Sequence, residues 1–231
     1  MAAGLPRILL PEMLPEIAAR IPPGDHELAH QVLSVPALRA TNGPLDDVLA
    51  TTPTAFDFII VDGIVLKQTS YAGRQALELQ GPGDVLAPPL TPSRQIESPA
   101  VSSYHAHGEV LLAVLEERFR MAARRWPGLS DVLHDHLARQ THRASMHLAR
   151  LHLSRAEDRI LTLFSDLAER FGRVTPDGIV IDIDLTHDLI GQMIASRRPT
   201  VSLALEQLSH ARQLTRSAGG QWNLNPSALL Q

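Results

Sequence analysis

Apolar and polar positions alternate in three different ways along the 231 residues. Up to residue 108 the apolar runs are short. Phe56-Asp57-Phe58-Ile59-Ile60-Val61, Ile64-Val65-Leu66-Lys67-Gln68 and Gln75-Ala76-Leu77-Glu78-Leu79 sit among breaks at Pro22-Pro23-Gly24, Asn42-Gly43-Pro44, Asp62-Gly63, Gly81-Pro82-Gly83 and Pro88-Pro89. Short runs closed by proline and glycine predict strands joined by tight turns, in a β-roll or a generic β-sandwich. Asp62-Gly63, between two such runs, predicts a hairpin.

From Glu109 the pattern turns helical. A helix is predicted over Glu109–Arg125, with Val110, Leu111, Val114, Leu115, Phe119 and Met121 as packing positions, ending at Trp126-Pro127-Gly128. A longer helix, capped by Ser130 or Asp131, is predicted to run to about Leu153. Leu133, Leu137, Ala144, Leu148 and Leu151 form a stripe on it, and Leu137, Ala144 and Leu151 are seven apart. Such a seam pairs with another surface, either the same helix of a second copy or the chain's own β-roll.

The third regime begins near residue 155. Gly178–Leu185 alternates as a half-buried strand does, and Thr186 is placed to cap a helix carrying Leu189, Ile190, Met193 and Ile194 on one face. Ala195-Ser196-Arg197 interrupts that face, and Pro199 falls in the first turn of a second helix. Val201, Ala204, Leu205 and Leu208 would face inward, leaving Arg197, Arg198, Thr200 and Ser202 near the exposed N-terminal end. Leu214-Thr215-Arg216 and Gln221-Trp222-Asn223-Leu224 flank Ser217-Ala218-Gly219-Gly220 as a hairpin would. Two readings fit this periodicity: a pair of amphipathic helices packed in a core, or a winged helix-turn-helix.

In the second reading the N-terminal end of the second helix enters the major groove of DNA. Arg198 offers a planar fork of donors matching guanine O6 and N7, while Ser196, Arg197 and Thr200 can donate to phosphates beside free helix N–H groups. Arg216 in the hairpin either meets a phosphate or is simply solvated.

Charge supports the second reading only after it is divided. The chain carries a net −4, but residues 1–108 hold 6 basic and 11 acidic side chains, whereas 186–231 hold 4 and 2. The candidate reading head is locally positive. No cysteine is present, which excludes disulfides and thiolate-held zinc or iron–sulfur clusters. No apolar stretch is long enough to span a membrane and no secretion signal is evident, so a cytoplasmic protein with no membrane partner is expected. His134, His136, His142, His147 and His152 lie on the long helix, none three or four apart, and read as solvated or interfacial positions, not metal ligands. No nucleophile elbow, P-loop or dinucleotide fingerprint is found, so no catalytic residue and no enzyme is expected.

Residues 155–224 resemble the winged helix-turn-helix of the Crp/Fnr superfamily of bacterial transcription regulators. Ile190-Gly191-Gln192 and Arg198-Pro199-Thr200-Val201 stand where that family has its IGQ helix and its reading helix, and Arg197–Leu205 carries an RRPTVS-x-AL signature of a divergent branch. The resemblance implies an α+β chain with a cyclic-nucleotide-binding-like β-roll (1–108), connecting and dimerisation helices (109–154) and a DNA-binding domain (155–231). It implies a homodimer paired through Leu133, Leu137, Ala144, Leu148 and Leu151, acting on double-stranded DNA, with RNA polymerase as a further partner. The DNA-facing set is then Thr186, Ser196, Arg197, Arg198, Pro199, Thr200, Ser202 and Arg216, on a recognition helix spanning 198–208 and on the wing.

Two departures limit what carries over. Pro199 and Leu203 replace the acidic residue and second arginine of better-known members, so their base code does not transfer; these same residues favour the alternative of a winged helix that binds protein. In the β-roll, Leu79–Leu86 resembles the family's Gly-Asp turn, but Ala87-Pro88 follows where nucleotide-binding members place glycine and glutamate. Pro88 supplies no carboxylate for a ribose, and Arg94 reads better as a surface residue than as a phosphate ligand. No cofactor is expected, and Pro88 counts against cyclic AMP.

Overall fold

The structure is a computed structural model that describes residues 5–50, 52, 54–87 and 101–227. Pro88 and Arg94 lie outside these residues. The chain divides into two units, Met1–His142 and Arg143–Gln231.

The first unit begins with β1 (Arg7–Leu9), α1 (Leu10–Met13), α2 (Pro15–Ala18) and α3 (His26–Val32). It continues through β2 (Ser34–Pro44), α4 (Asp46–Ala50), β3 (Asp57–Tyr71), β4 (Arg74–Gln80), β5 (Val85–Leu86), β6 (Val101–Leu115) and α5 (Glu117–Arg125), and into α6 (Gly128–Leu151). The sheet order is β1-β2-β6-β3-β4, with β5 also paired to β3. β3 and β4 are joined through Ala72-Gly73, both at positive φ, as a two-residue hairpin turn requires.

Alternate residues of the central strands feed two cores. Ile59, Val61, Leu111, Ala113 and Leu115 pack with Leu10, Ile17, Leu33, Phe119, Trp126 and Leu129 against the helices. Phe58, Ile60, Leu112 and Val114 point the other way, onto Val65, Leu86 and Leu49.

This two-sided burial corrects the helix predicted over Glu109–Arg125. Val110–Leu115 is the end of strand β6, and only Glu117–Arg125 is helical. A strand covered on both faces reads as a continuous apolar run, which periodicity cannot separate from a buried helix. The hairpin predicted at Asp62-Gly63 is also corrected. Both residues lie inside β3, at irregularities in its pairing with β6. Gly63 has φ +87°, and a Cβ there would come within 2.1 Å of the Glu109 carbonyl oxygen. The glycine serves the close approach of β6, not a chain reversal.

The long helix begins at Gly128, ahead of the predicted caps, so Ser130 and Asp131 lie within its first turn. Its 24 residues span about 36 Å at 1.5 Å each. Along it Leu137 and Leu148 are 48% and 63% exposed, whereas Leu133 is half-buried against the first core. Ala144 and Leu151 are half-buried. Solvated or interfacial positions do not describe every histidine here, because His136 and His147 are buried.

The second unit continues with α7 (Ala156–Phe171), β7 (Gly172–Thr175), β8 (Gly178–Ile181), α8 (His187–Met193), α9 (Arg198–His210), β9 (Leu214–Arg216) and β10 (Trp222–Leu224). Its sheet runs β7-β8-β10-β9. The strand expected over Gly178–Leu185 stops at Ile181, and the following segment keeps the alternation by burying Ile183 and Leu185. Phe164 of α7 and Trp222 of β10 hold helix to sheet, with ring centroids 4.9 Å apart. Among the described residues no helix is long and apolar enough to cross a membrane.

Candidate nucleic-acid interface

The turn between α8 and α9 is built from backbone contacts. Thr186 caps α8, its hydroxyl accepting from the Leu189 N–H at 3.2 Å. After Met193 the chain reverses through Ala195, which sits in the left-handed region at φ 50°. The Ser196 N–H then donates to the Gly191 carbonyl at 2.8 Å. Gly191 allows this approach: a Cβ there would lie 2.6 Å from the Ser196 carbonyl oxygen.

A residue of α7 fixes the turn from outside. Arg159 donates to the Ile194 carbonyl at 3.2 Å and reaches the Ser196 hydroxyl at 3.4 Å, while its Nε donates to the Leu153 carbonyl at 2.7 Å. The sequence reading passed over Arg159. Its signal was a cation four residues ahead of Leu163, on the stripe formed by Ile160, Leu163, Phe164 and Leu167.

Helix α9 buries Val201, Ala204, Leu205 and Leu208, the face expected from spacing. Its N-terminus carries no side-chain cap and no acidic residue in the first turn. Free N–H groups there, with the positive end of the helix dipole, favour an anion such as a phosphate. Arg197, Arg198, Pro199 and Thr200 are all exposed around that end. Arg198 Nε lies 3.9 Å from Asp188 Oδ2 with both side chains more than half exposed, a contact weak enough to release the guanidinium.

Other members of the predicted set are engaged within the unit. Ser202 Oγ is 2.8 Å from His187 Nδ1, which ties α9 to the start of α8. Thr186 and Ser196 serve the cap and the turn. Arg216 donates to Asp184 Oδ1 at 2.8 Å and to the Gly220 carbonyl at 3.1 Å, and its guanidinium lies over the Trp222 ring. The wing arginine therefore braces the β9–β10 hairpin against the segment that leads into α8.

A turn-linked helix pair with a free, basic N-terminus and a hairpin beside it defines a winged helix-turn-helix of the DNA-binding class. Residues 158–231 match the Crp-like helix-turn-helix domain. Over 159 residues the chain is 30% identical to a CRP-like cAMP-activated global transcriptional regulator of Mycobacterium tuberculosis, spanning 66% of this chain and 68% of that protein. Among solved structures the fold is similar to FixK2 from Bradyrhizobium japonicum, with TM-score 0.65 and 19% identity over 86% of this chain and 96% of that one. It is also similar to a cyclic nucleotide-binding domain containing protein from Listeria monocytogenes, with TM-score 0.68 and 16% identity over 84% of this chain and 90% of that one. The chain belongs to the Crp/Fnr superfamily and is a DNA-binding transcription regulator.

Proposed function

We propose that the protein acts as a cytoplasmic homodimer that sets the N-terminal ends of two α9 helices into successive major grooves, with Arg198 as the principal base-reading residue. The observation that carries this reading is the uncapped, acid-free N-terminus of α9 ringed by exposed Arg197, Arg198 and Thr200. Arg197 and Thr200 meet phosphates, and Pro199 packs at the groove edge. Thr186, Ser196, Ser202 and Arg216 act mainly by holding the helices and the wing in place, through the contacts described above. Its work is binding, not catalysis, and RNA polymerase is the partner through which bound DNA affects transcription.

The dimer reading rests on the exposed leucines of α6. Leu137 and Leu148 present apolar surface on the predicted stripe, where burial against a second copy supplies the driving force. Two-fold pairing also matches the two-fold symmetry of half-sites one or more helical turns apart.

The mycobacterial relative is described as cAMP-activated. We propose that this property does not carry over. Pro88 stands where a ribose-binding carboxylate is needed. The adjoining turn is also turned inward: the Asp84 carboxylate accepts from the Gly81 N–H at 2.9 Å, and Val85 gives both backbone groups to Gln140 of α6. Melting in the presence of cyclic AMP tests this directly, since a ligand that binds only the folded state raises the melting temperature. No shift is expected at millimolar cyclic AMP; a clear rise would overturn the argument from Pro88.

The DNA reading is tested by retardation of duplex fragments from upstream of the protein's own operon. Binding that weakens as salt rises is expected, and no retention of any genomic fragment would contradict it.

A further inference from the structure

The outward side of α9 carries an exposed leucine where a groove-reading helix would carry a polar group. With Val201, Ala204, Leu205 and Leu208 buried, a rotation of about 100° per residue puts Pro199, Leu203, Glu206 and His210 on the opposite side. Leu203 lies near the middle of that side, 58% exposed, one turn after Pro199. The two lie four residues apart on the same side of the helix. Ser202, next to Leu203, has its hydroxyl 2.8 Å from His187 Nδ1 of α8, on the inner side of the pair, while Leu203 is left exposed.

We propose that Leu203 is a specificity residue that reads the C5-methyl group of thymine. The assignment rests on the reading that α9 enters the major groove. The chemistry there leaves one favourable neighbour for a leucine. All four bases present hydrogen-bonding atoms to the groove, thymine its O4, and a leucine pressed on those atoms strips their water and returns no bond. Thymine alone offers an apolar group. Leu203 therefore selects thymine by attraction to its methyl and rejects the other bases by leaving their polar edges unpaired. With Arg198 at the start of the helix and Leu203 more than a turn further on, each half-site combines a guanine with a thymine a few base pairs away.

The test uses the full chain. Wild-type protein and Leu203→Ala are each used to select bound sequences from a random duplex library, and affinities are then measured on the enriched duplex with each thymine replaced in turn by deoxyuridine. Leu203 is exposed on a helix, so alanine leaves the fold intact. One thymine per half-site is expected whose demethylation weakens wild-type binding about fourfold, the value of burying one methyl-sized group. The same replacement leaves Leu203→Ala unchanged, and its selected half-site loses the thymine preference at that position. An enriched half-site with no methyl-sensitive thymine, or equal methyl sensitivity in both proteins, overturns the role of Leu203 alone. No enriched sequence with either protein overturns the groove reading together with it.

Discussion

Gly191 and Ser196 face each other across the turn of the helix-turn-helix, joined by the Ser196 N–H donating to the Gly191 carbonyl at 2.8 Å. A Cβ on residue 191 would stand 2.6 Å from the Ser196 carbonyl oxygen, which is backbone and has little room to retreat. Gly191→Val should therefore force the two helices apart. Overpacking of this kind costs on the order of 1–3 kcal/mol. Thermal unfolding should show that loss, and DNA affinity should fall with it; a Gly191→Val protein with unchanged melting and binding would contradict the close approach.

Arg159 makes a separable prediction, because it touches the turn without lying on the recognition helix. Arg159→Met keeps most of the side chain's length and removes the donors to Leu153, Ile194 and Ser196. Losing the part-buried bonds to the Ile194 carbonyl and the Ser196 hydroxyl should cost about 1–3 kcal/mol. DNA binding should weaken for specific and non-specific duplexes alike, since the turn is misplaced and no base contact is lost. A change confined to sequence preference would place Arg159 at the DNA instead.

His136 predicts a pH dependence of stability. Its ring is buried on α6 against Gly83, with Arg139 on the same helix, Glu16 on α2 and Asp84 in the turn as charged neighbours. Arg139 can only donate, so Nδ1, 3.2 Å away, is the acceptor and Nε2 carries the hydrogen, 3.1 Å from Glu16. Burial is the largest influence and, aided by Arg139, outweighs the two carboxylates, holding the ring below its ordinary pKa of 6.5. A depressed pKa favours the neutral ring in the folded state. Its contribution is full above about pH 6.5 and is lost as pH falls through the folded value. Melting temperature should drop between pH 7 and pH 5 in the wild type, and less steeply in His136→Gln. Equal slopes in the two proteins would remove His136 from the account.

The exposed leucines of α6 carry the dimer prediction. Leu137→Asp with Leu148→Asp places two charges on the apolar stripe while leaving the buried positions Val132 and His136 untouched. Sedimentation should show monomers at concentrations where the wild type is dimeric, with loss of tight binding to a two-half-site duplex. A double variant that stays dimeric would move the interface away from α6.

The second unit was far more legible in the sequence than the first. In α8 and α9 each apolar face is single-sided, so spacing named Leu189, Ile190, Met193, Ile194, Val201, Ala204, Leu205 and Leu208, all buried except the half-buried Leu189, and Thr186 was read correctly as a cap. In β6 both faces are covered, which erased the alternation and made Val110–Leu115 look helical. Gly63 misled for a related reason, since a glycine required by a neighbouring strand looks the same in sequence as one required by a turn. At the candidate site, residue types pointed to the exposed N-terminal end of α9 but did not reveal which side chains are engaged within the unit. The bonds of Ser202 to His187, Arg216 to Asp184 and Ser196 to Arg159 join residues 15, 32 and 37 positions apart, beyond any local pattern.

DNA recognition turns on Arg198 reading bases from the free N-terminus of α9. The most direct test of that role is the ratio of affinity for the selected duplex to affinity for an unrelated duplex at the same salt, measured for wild type and Arg198→Ala. Loss of one bidentate base contact should remove about 1–3 kcal/mol from specific binding. The ratio should collapse accordingly, while binding to the unrelated duplex and the melting temperature change little. An unchanged ratio, with both affinities lowered equally, would make Arg198 a phosphate contact and contradict its reading role.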